Sequence, residues 1–294
     1  MIPQASVAVI HLVRARNDPA AFTRFIESYR RHGAGAAHQL VIACKGFPGR
    51  PPPNRLLDGI DDLRPVLLRV PDRGFDIGAY RAAAGSVDAE LICCMNSYST
   101  LLADDWLAKL VGPLSQLGVG IVGATGSWES HFTSGFGPGW RNALPRHPGS
   151  WPRWLGKRAM YLHHRAAYPR SPNPHVRTNA FVIRRSDFLS LAAPCLLTKQ
   201  AAYRFESGYR SMTRQLAGRG LRPLVVDRKG VVYEIATWPE SHTFWAGDQE
   251  GLLVADNQTE SYRVGTPAFR QTRAAAAWGA DPPPRTVLPG TDRP

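Results

Sequence analysis

The chain has 294 residues, of which 44% are hydrophobic, so it is large enough to bury one substantial core. Lys and Arg number 36 against 23 Asp and Glu, and the net charge of +13 favours anionic partners such as nucleotides, lipid phosphates, anionic glycans or nucleic acid. No run of the sequence approaches the roughly 20 apolar residues that span a bilayer. The four cysteines form no CxxC pair, and this cysteine usage is typical of a protein in a reducing compartment. We therefore expect a cytoplasmic protein, soluble or peripheral at the inner membrane.

Strands and helices alternate over the first third of the chain. Apolar runs predict strands at 6–13, 38–46, 65–71, 90–95 and 119–125. Segments between them predict helices at 19–33, 55–63, 78–85 and 103–114. This order predicts an α/β fold with a mostly parallel sheet flanked by helices, in which ligands bind at the carboxyl ends of the strands.

The composition changes after residue 129. Residues 130–186 contain no Asp or Glu, carry ten Lys or Arg interleaved with Trp and Tyr, and are rich in Pro and Gly, so loops or short helices are expected. Beyond them, patterns predict a strand at 178–185, a helix opening at Ser186 or Asp187, a helix at 207–220 and strands at 221–227 and 231–235. LLVA at 252–255 is interpreted as core and DNQT at 256–259 as a turn.

The expected organisation is one domain followed by a tail. The domain covers 1–263, with a nucleotide-sugar half at 1–129 and an acceptor half at 130–263. The tail at 264–294 is rich in Pro, Ala and Arg and is expected to be poorly ordered.

The segment PDRGFDIGAYRAA follows a strand and opens a helix, where Gly74 allows close backbone approach and Asp76 offers a carboxylate to a ribose or base. The order of segments resembles the family 2 glycosyltransferases and related GT-A enzymes, and RGFDIGAY resembles the NxGxDxGxx segment of rhamnan-synthesis proteins. The resemblance implies a Rossmann-like GT-A fold that moves a sugar from a nucleotide sugar to a glycan or lipid-linked acceptor in cell-surface polysaccharide synthesis. It implies a donor site formed by Arg73, Gly74, Asp76, Arg81, Asn96, Ser97 and Ser99.

The sequence departs from this family after the strand ELICCM. The resemblance implies a DxD motif there, whose carboxylates hold Mg or Mn against the donor diphosphate. The chain has Asn96-Ser97-Tyr98-Ser99 instead, and neutral side chains hold such a metal weakly. Asp104 and Asp105 are better interpreted as helix caps than as displaced ligands. Mg or Mn stays a candidate cofactor, with Arg73, Arg81 or the basic segment as the alternative partners of the diphosphate.

The resemblance also suggests a base and contacts for the substrates. Glu206 occupies the position of the acidic residue that deprotonates the acceptor in an inverting transfer; the alternative is a carboxylate that favours a helix amino terminus. The candidate phosphate contacts are Arg210, Arg214 and His242. The candidate acceptor contacts are Trp128, Glu129, Thr178 and Asn179, for which simple packing is the alternative.

Three other functions fit parts of the sequence. The basic, aromatic segment at 130–186 suits nucleic acid, although an anionic acceptor or the inner membrane face suits it better because no nucleic-acid-binding motif is found. Loss of the DxD motif suits a GT-A-type protein that binds a nucleotide sugar or glycan without turnover. A nucleotidyltransferase shares the parallel sheet, but VRARND is a poor match to its glycine-rich loop.

Overall fold

The computed structural model describes residues 6–47, 59–132, 147–194, 196 and 198–279. Over these ranges the strands are β1 (Val7–Arg14), β2 (Gln39–Lys45), β3 (Val66–Val70), β4 (Leu91–Met95), β5 (Thr100–Leu101), β6 (Val119–Gly123), β7 (Gly126–Ser127), β8 (His175–Val176), β9 (Ala180–Arg184), β10 (Arg222–Val226), β11 (Val232–Tyr233) and β12 (Val254–Ala255). The helices are α1 (Pro19–Arg31), α2 (Phe75–Ser86), α3 (Trp106–Val111), α4 (Trp151–Ala167), α5 (Arg185–Ser190), α6 (Lys199–Ser207), α7 (Met212–Ala217), α8 (Asn257–Arg263) and α9 (Pro267–Trp278).

Eight strands form one central sheet in the order β11-β10-β6-β9-β4-β1-β2-β3. The pairings β2–β3, β1–β2, β1–β4 and β6–β10 are parallel, whereas β9 runs antiparallel to both β4 and β6 and β11 runs antiparallel to β10. Two small antiparallel pairs, β5–β12 and β7–β8, lie outside this sheet. The predicted α/β class with a mostly parallel sheet is confirmed.

The sheet is covered on both faces, which explains why its strands are apolar without alternation. In β1, Ala8, Ile10 and Leu12 belong to one core layer. Val7, Val9 and Val13 belong to the other.

One polar side chain sits inside the second layer. His11 is fully buried, and its ring stacks 3.6 Å from that of Phe25 on α1. Neither ring nitrogen has a hydrogen-bond partner among the described residues. Burial lowers the pKa of His11 to about 3, so the ring is neutral in the folded protein.

The chain end differs from the sequence prediction. Residues 267–278 form α9, capped by the Thr266 hydroxyl, rather than a poorly ordered tail. Trp278 is buried, donates from Nε1 to the Phe244 carbonyl at 2.7 Å, and packs edge-on against Trp128. The composition alone predicted disorder, but the contacts of Trp278 with Phe244 and Trp128 hold this helix against the core. Residues 280–294 lie outside the described residues.

Other element predictions also need correction. The basic segment contains a 17-residue helix, α4, rather than only loops and short helices. The helix expected at 207–220 starts only at Met212, and residues 199–207 form a separate helix, α6. The expected turn at 256–259 is a capping box that opens α8. Of the helix expected at 55–63, residues 55–58 lie outside the described ranges and Asp61–Leu63 form a 3-10 turn. No described helix has the length and apolarity needed to cross a bilayer.

Candidate active site

A cleft of about 250 Å³ opens at the edge of the sheet where the parallel strands end. Because β9 is antiparallel, the residues before it reach the same edge as those that follow β1 and β4. Its described polar lining residues are Arg14, Asn17, Asp76, Asn96, Ser97, Tyr98, Arg177, Thr178, Asn179, Lys199, Tyr203, Glu206, Asp256, Asn257 and Gln258. This is the position that parallel-sheet topology predicts for a ligand site.

One face of α6 forms a wall of this cleft. Lys199, Ala202, Tyr203 and Glu206 all line it, and their i, i+3, i+4, i+7 spacing places them along one face of the helix. The seven-residue separation of Lys199 and Glu206 corresponds to about 10 Å along the axis. A cation therefore stands at the first turn of the helix and a carboxylate at its last turn.

Glu206 is held by the segment before β9. Its Oε1 accepts hydrogen bonds from Thr178 Oγ1 at 2.7 Å and from Thr178 N at 3.3 Å. The alternative of a carboxylate favouring a helix amino terminus is wrong, because Glu206 lies in the last turn of α6, where the helix dipole disfavours negative charge. Helix stability therefore does not explain this carboxylate.

Asp76 lies in the first turn of α2 beside two cations. Arg14 Nη1 is 3.7 Å from Asp76 Oδ1, and Lys45 is buried with its Nζ donating to the carbonyls of Arg73 and Phe75. Burial raises the pKa of Asp76, and the charges of Arg14 and Lys45 offset part of that rise. Lys45, which sequence reasoning missed, thus fixes the turn that presents Asp76. The cue was a lysine directly after an apolar strand.

The neutral motif after β4 forms a turn of its own. Asn96 Oδ1 accepts from Tyr98 N at 2.9 Å, and the single proton of the Ser99 hydroxyl is shared between the Asn179 carbonyl at 3.0 Å and Asn96 Oδ1 at 3.3 Å. Ser97 Oγ is buried at the cleft without a hydrogen-bond partner among the described residues. The Asn96 oxygen is therefore occupied, and the motif offers its amide N–H and the Ser97 hydroxyl to a ligand.

A second cleft of about 340 Å³ adjoins the first and shares with it Arg177, Tyr203, Glu206, Asn257 and Gln258. Its other polar and aromatic lining residues are Glu129, His131, His175, Ser207, Trp245, Ser261, Phe269 and Arg273. The Arg273 guanidinium lies 5.0 Å from the ring centres of both Trp245 and Phe269. Glu206 thus faces two adjoining spaces, one of which is bounded by α9.

His175 stands beside Glu206 in the second cleft. Its Nδ1 lies 2.9 Å from the Asn173 carbonyl, which can only accept, so Nδ1 carries the proton and Nε2 is an acceptor. Burial lowers the pKa of His175, while the Asn173 hydrogen bond and the Glu206 charge raise it. The residue was not predicted, although it precedes Thr178 by only three positions.

Arg177 forms the boundary between the two clefts. Its Nη2 lies 3.3 Å from Asp256 Oδ2 and donates to Gln258 Oε1 at 2.9 Å, and its guanidinium covers the Phe244 ring at 3.8 Å. Both members of the Arg177–Asp256 pair are buried. Asp256 also caps α8 through Oδ1, so the pair ties the start of α8 to the segment before β9.

The predicted donor contacts are only partly brought together. Asp76, Asn96 and Ser97 line the first cleft. Arg81 lies five positions after Asp76, on another side of α2, and donates to the carbonyls of Phe188, Leu189 and Leu191. The remaining three positions also do not line it: Arg73 is exposed, Gly74 is the left-handed N-cap of α2 at φ 82°, and Ser99 is buried and donates to the Asn179 carbonyl.

The predicted acceptor contacts divide in the same way. Thr178 and Asn179 line the first cleft and Glu129 lines the second. Asn179 Oδ1 accepts from Thr125, and its Nδ2 donates to the Val254 carbonyl at 3.3 Å, so much of its side chain is already used. Trp128 is buried and donates to the Ile235 carbonyl, as the packing alternative expects.

None of the three predicted phosphate contacts lines either cleft. Arg210 lies at a different cavity, and Arg214 Nε donates to Asn173 Oδ1 at 3.4 Å. His242 Nδ1 is 2.6 Å from Glu250 Oε1. The cations that do line the first cleft are Arg14, Arg177 and Lys199.

The donor set of the cleft does not fit a divalent cation. Among the described residues, no three His, Cys, Asp or Glu side chains form a group that could hold a metal ion. The carboxylates of the cleft are engaged by Arg14, Thr178 and Arg177, and the motif after β4 supplies amide and hydroxyl groups. Asp105 occupies the N-cap position of α3 without a side-chain cap bond, and Asp104 Oδ1 accepts from Gly33 N at 3.1 Å. Neither of these two carboxylates lines either cleft.

Comparison with protein-family models and with curated proteins gives no match. Among solved structures, the chain is similar to a mannosyltransferase from Pyrobaculum calidifontis in complex with GDP-Man and Mn²⁺, at 14% identity, TM-score 0.47, 94% coverage of this chain and 70% of that chain. It is also similar to glucosyl-3-phosphoglycerate synthase from Mycobacterium tuberculosis, at 15% identity and a TM-score of 0.40, with coverage of 75% of this chain and 69% of that chain. Mannosyl-3-phosphoglycerate synthase from Rubrobacter xylanophilus matches at 10% identity and a TM-score of 0.32, with coverage of 62% of this chain and 53% of that chain. Matches at these identities and scores do not assign a family.

Proposed function

We propose that the chain is a GT-A-type glycosyltransferase that moves a hexosyl or deoxyhexosyl unit from a nucleotide sugar to a hydroxyl of a glycan or lipid-linked acceptor, with Glu206 as the base. The observation that carries the proposal is the position of Glu206, which faces two adjoining clefts from the last turn of α6. One cleft has the polar groups that suit a nucleotide sugar. The other has the aromatic and polar groups that suit a sugar acceptor. The sequence resemblance supports a role in cell-surface polysaccharide synthesis.

The first cleft is assigned to the donor. Asp76 accepts hydrogen bonds from ribose hydroxyls, and the Asn96 amide and Ser97 hydroxyl donate to sugar or phosphate oxygens. Lys199, in the first turn of α6, and Arg14, which follows β1, face the diphosphate. The 10 Å or so between Lys199 and Glu206 along α6 leaves room for the diphosphate and the transferred sugar between cation and base.

The second cleft is assigned to the acceptor. A hydroxyl there attacks the anomeric carbon of the donor, and its proton passes to Glu206. The new bond joins the acceptor oxygen to the anomeric carbon, while the bond from that carbon to the phosphate oxygen breaks. The nucleoside diphosphate leaves with the electron pair. One base and one displacement give inversion at the anomeric carbon.

Cationic side chains take the place of a metal in this proposal. The leaving diphosphate gains negative charge in the transition state, and fixed cations lower the energy of that charge. Arg14 and Lys199 are the cations placed for this role. The engaged carboxylates and the neutral 96–99 turn support this assignment over Mg or Mn.

The test is thermal unfolding with UDP, GDP, CDP and dTDP sugars, each with Mn²⁺ and with EDTA. A donor at 100 times its Kd adds about 2.7 kcal/mol, which raises the Tm of a chain this size, with an unfolding entropy of about 0.6 kcal/mol/K, by about 4–5 °C. We expect one nucleotide series to give that rise equally under both conditions. A rise that EDTA removes would contradict the cationic mechanism. No rise with any donor would contradict the whole proposal, and a rise without transfer to any acceptor would favour a binding protein.

A further inference from the structure

One face of α4 exposes a row of apolar side chains. Trp151, Leu155 and Leu162 are 44%, 55% and 57% exposed. At 3.6 residues per turn they lie within about 40° of one another around the helix. We call these three residues the α4 stripe. An exposed apolar stripe on a helix that is otherwise rich in cations is typical of a binding surface. A matching partner has a charged or polar surface layer with an apolar interior beneath it.

The charge around the α4 stripe is of one sign. The helix carries Arg153, Lys157, Arg158 and Arg165 and no carboxylate, within a stretch from 130 to 186 that contains no Asp or Glu. At 100° per residue, Arg158 and Arg165 lie within about 80° of all three stripe residues and flank the stripe, whereas the exposed Arg153 and Lys157 lie on the opposite face of the helix. This combination of an apolar stripe with flanking cations is typical of helices that lie in the headgroup region of anionic membranes.

A cavity of about 430 Å³ continues this surface at the carboxyl end of α4. His163 and Ala166 line it from α4, and Arg204 and Arg210 line it from α6 and the segment that follows. Arg204 Nε is buried and has no hydrogen-bond partner among the described residues. Tyr209, at the same cavity, is 52% exposed. Arginines beside an exposed tyrosine suit a headgroup phosphate at the membrane boundary.

The geometry points to a docking surface for an anionic phospholipid bilayer, in which the α4 stripe enters the headgroup–acyl boundary and the flanking cations contact headgroup phosphates. A nucleic acid would use the same cations, but it would gain little from the two exposed leucines of the stripe, because base stacking requires aromatic rings. The surface is separate from the two clefts around Glu206. Its binding is measured without a sugar donor, so its failure leaves the proposed transfer untouched.

The experiment is co-sedimentation of the full chain with vesicles of phosphatidylcholine alone or of equal parts phosphatidylcholine and phosphatidylglycerol. We expect binding to the mixed vesicles only, weakened by salt. Leu155→Glu with Leu162→Glu should abolish it. Arg158→Ala with Arg165→Ala should weaken it about 25-fold, at about fivefold for each cation, and Arg153→Ala with Lys157→Ala, on the opposite face of the helix, should weaken it less.

Two matched controls test whether the loss of vesicle binding is specific to α4. One changes an exposed leucine elsewhere, and the other removes two exposed cations elsewhere. Leu117→Glu changes a leucine that is 98% exposed outside α4. Arg24→Ala with Arg31→Ala removes two exposed cations from α1. Leu117→Glu should bind the mixed vesicles like the wild type, the α1 pair should lose less than the Arg158/Arg165 pair, and all variants should keep the wild-type Tm.

Three results would overturn the proposal. One is equal binding, or none, to both vesicle types. Another is wild-type binding by the Leu155/Leu162 variant. The third is tighter binding to a single-stranded oligonucleotide that the Arg158/Arg165 variant loses and the leucine variant keeps, which would assign the surface to nucleic acid.

Discussion

Replacement of Glu206 by Gln tests the proposed base with little change of shape. Oε1 already accepts two hydrogen bonds from Thr178, which leaves Oε2 as the oxygen that takes the acceptor proton. The glutamine keeps an Oε1 acceptor for Thr178 and replaces Oε2 by an NH₂ group, which cannot take a proton. Loss of a general base lowers kcat by about 10²–10⁴-fold, or about 3–5 kcal/mol.

The same substitution should not weaken the fold. A negative charge in the last turn of α6 opposes the helix dipole, so its removal leaves the unfolding free energy unchanged or raises it by about 0.3–1 kcal/mol. Lost turnover combined with equal or greater stability is therefore the expected signature. Urea unfolding of both proteins measures the stability.

The assay is nucleoside diphosphate release with acceptor present, together with calorimetric titration of the donor. Glu206→Gln should keep the wild-type donor Kd. Glu129→Gln is the matched control, because Glu129 is the other carboxylate of the second cleft; it should raise the acceptor KM and leave kcat near wild type. Unchanged turnover in Glu206→Gln would remove this residue as the base. An equal loss of kcat in Glu129→Gln would refute the assignment of the base to one residue.

Three further predictions concern stability. The pKa of His11 is 6.5 unfolded and about 3 folded, so the unfolded state binds the extra proton below pH 6.5 and the protein becomes less stable as the pH falls. Between pH 6 and 4 the loss is about 2.5 kcal/mol, and urea unfolding of His11→Leu should lack that component. Arg177→Met leaves the Asp256 carboxylate buried and unpaired and should cost about 3–5 kcal/mol. Its control Arg222→Met, in a half-exposed pair, should cost under about 1 kcal/mol, and equal losses in urea would contradict this reasoning. Trp278→Ala should cost about 3–5 kcal/mol if α9 belongs to the core, and a Tm like that of the wild type would show that it does not.

The central sheet was predictable because its strands are buried on both faces. β1, β4 and β6 are mostly apolar runs; the predicted segments contain β4 and β6 in full and β1 up to Val13. The insertion of β9 between β4 and β6 was not predictable, since it depends on pairing across more than 50 residues of sequence. That insertion brings Thr178 to the cleft.

Local sequence was less informative about the site. Asp76, Asn96 and Ser97 were found because each follows a strand of the sheet. Arg81 was misassigned because the helix turn that separates it from Asp76 was not considered. The α6 face was missed because the boundary between α6 and α7 was not recognised, although the spacing from Lys199 to Glu206 was readable once the helix limits were known.

α9 was missed for a different reason. Its Ala- and Arg-rich sequence has no strong apolar periodicity, and its position depends on contacts with distant residues such as Phe244 and Trp128. Arg273 and Phe269, which bound the second cleft, were missed with it. Tertiary contacts therefore decided the part of the site that lies farthest along the chain.

Lys199 and Glu206 line the cleft from one face of α6, so an insertion or deletion between them should not be tolerated. A helix is stiff, so the separation of Lys199 and Glu206 is fixed by the number of residues between them. One inserted or deleted residue would turn the carboxylate by about 100° around the axis while shifting it by only about 1.5 Å along it. The proposed base would then point away from both clefts. Substitutions among the intervening residues are compatible with this arrangement, whereas changes in their number are not.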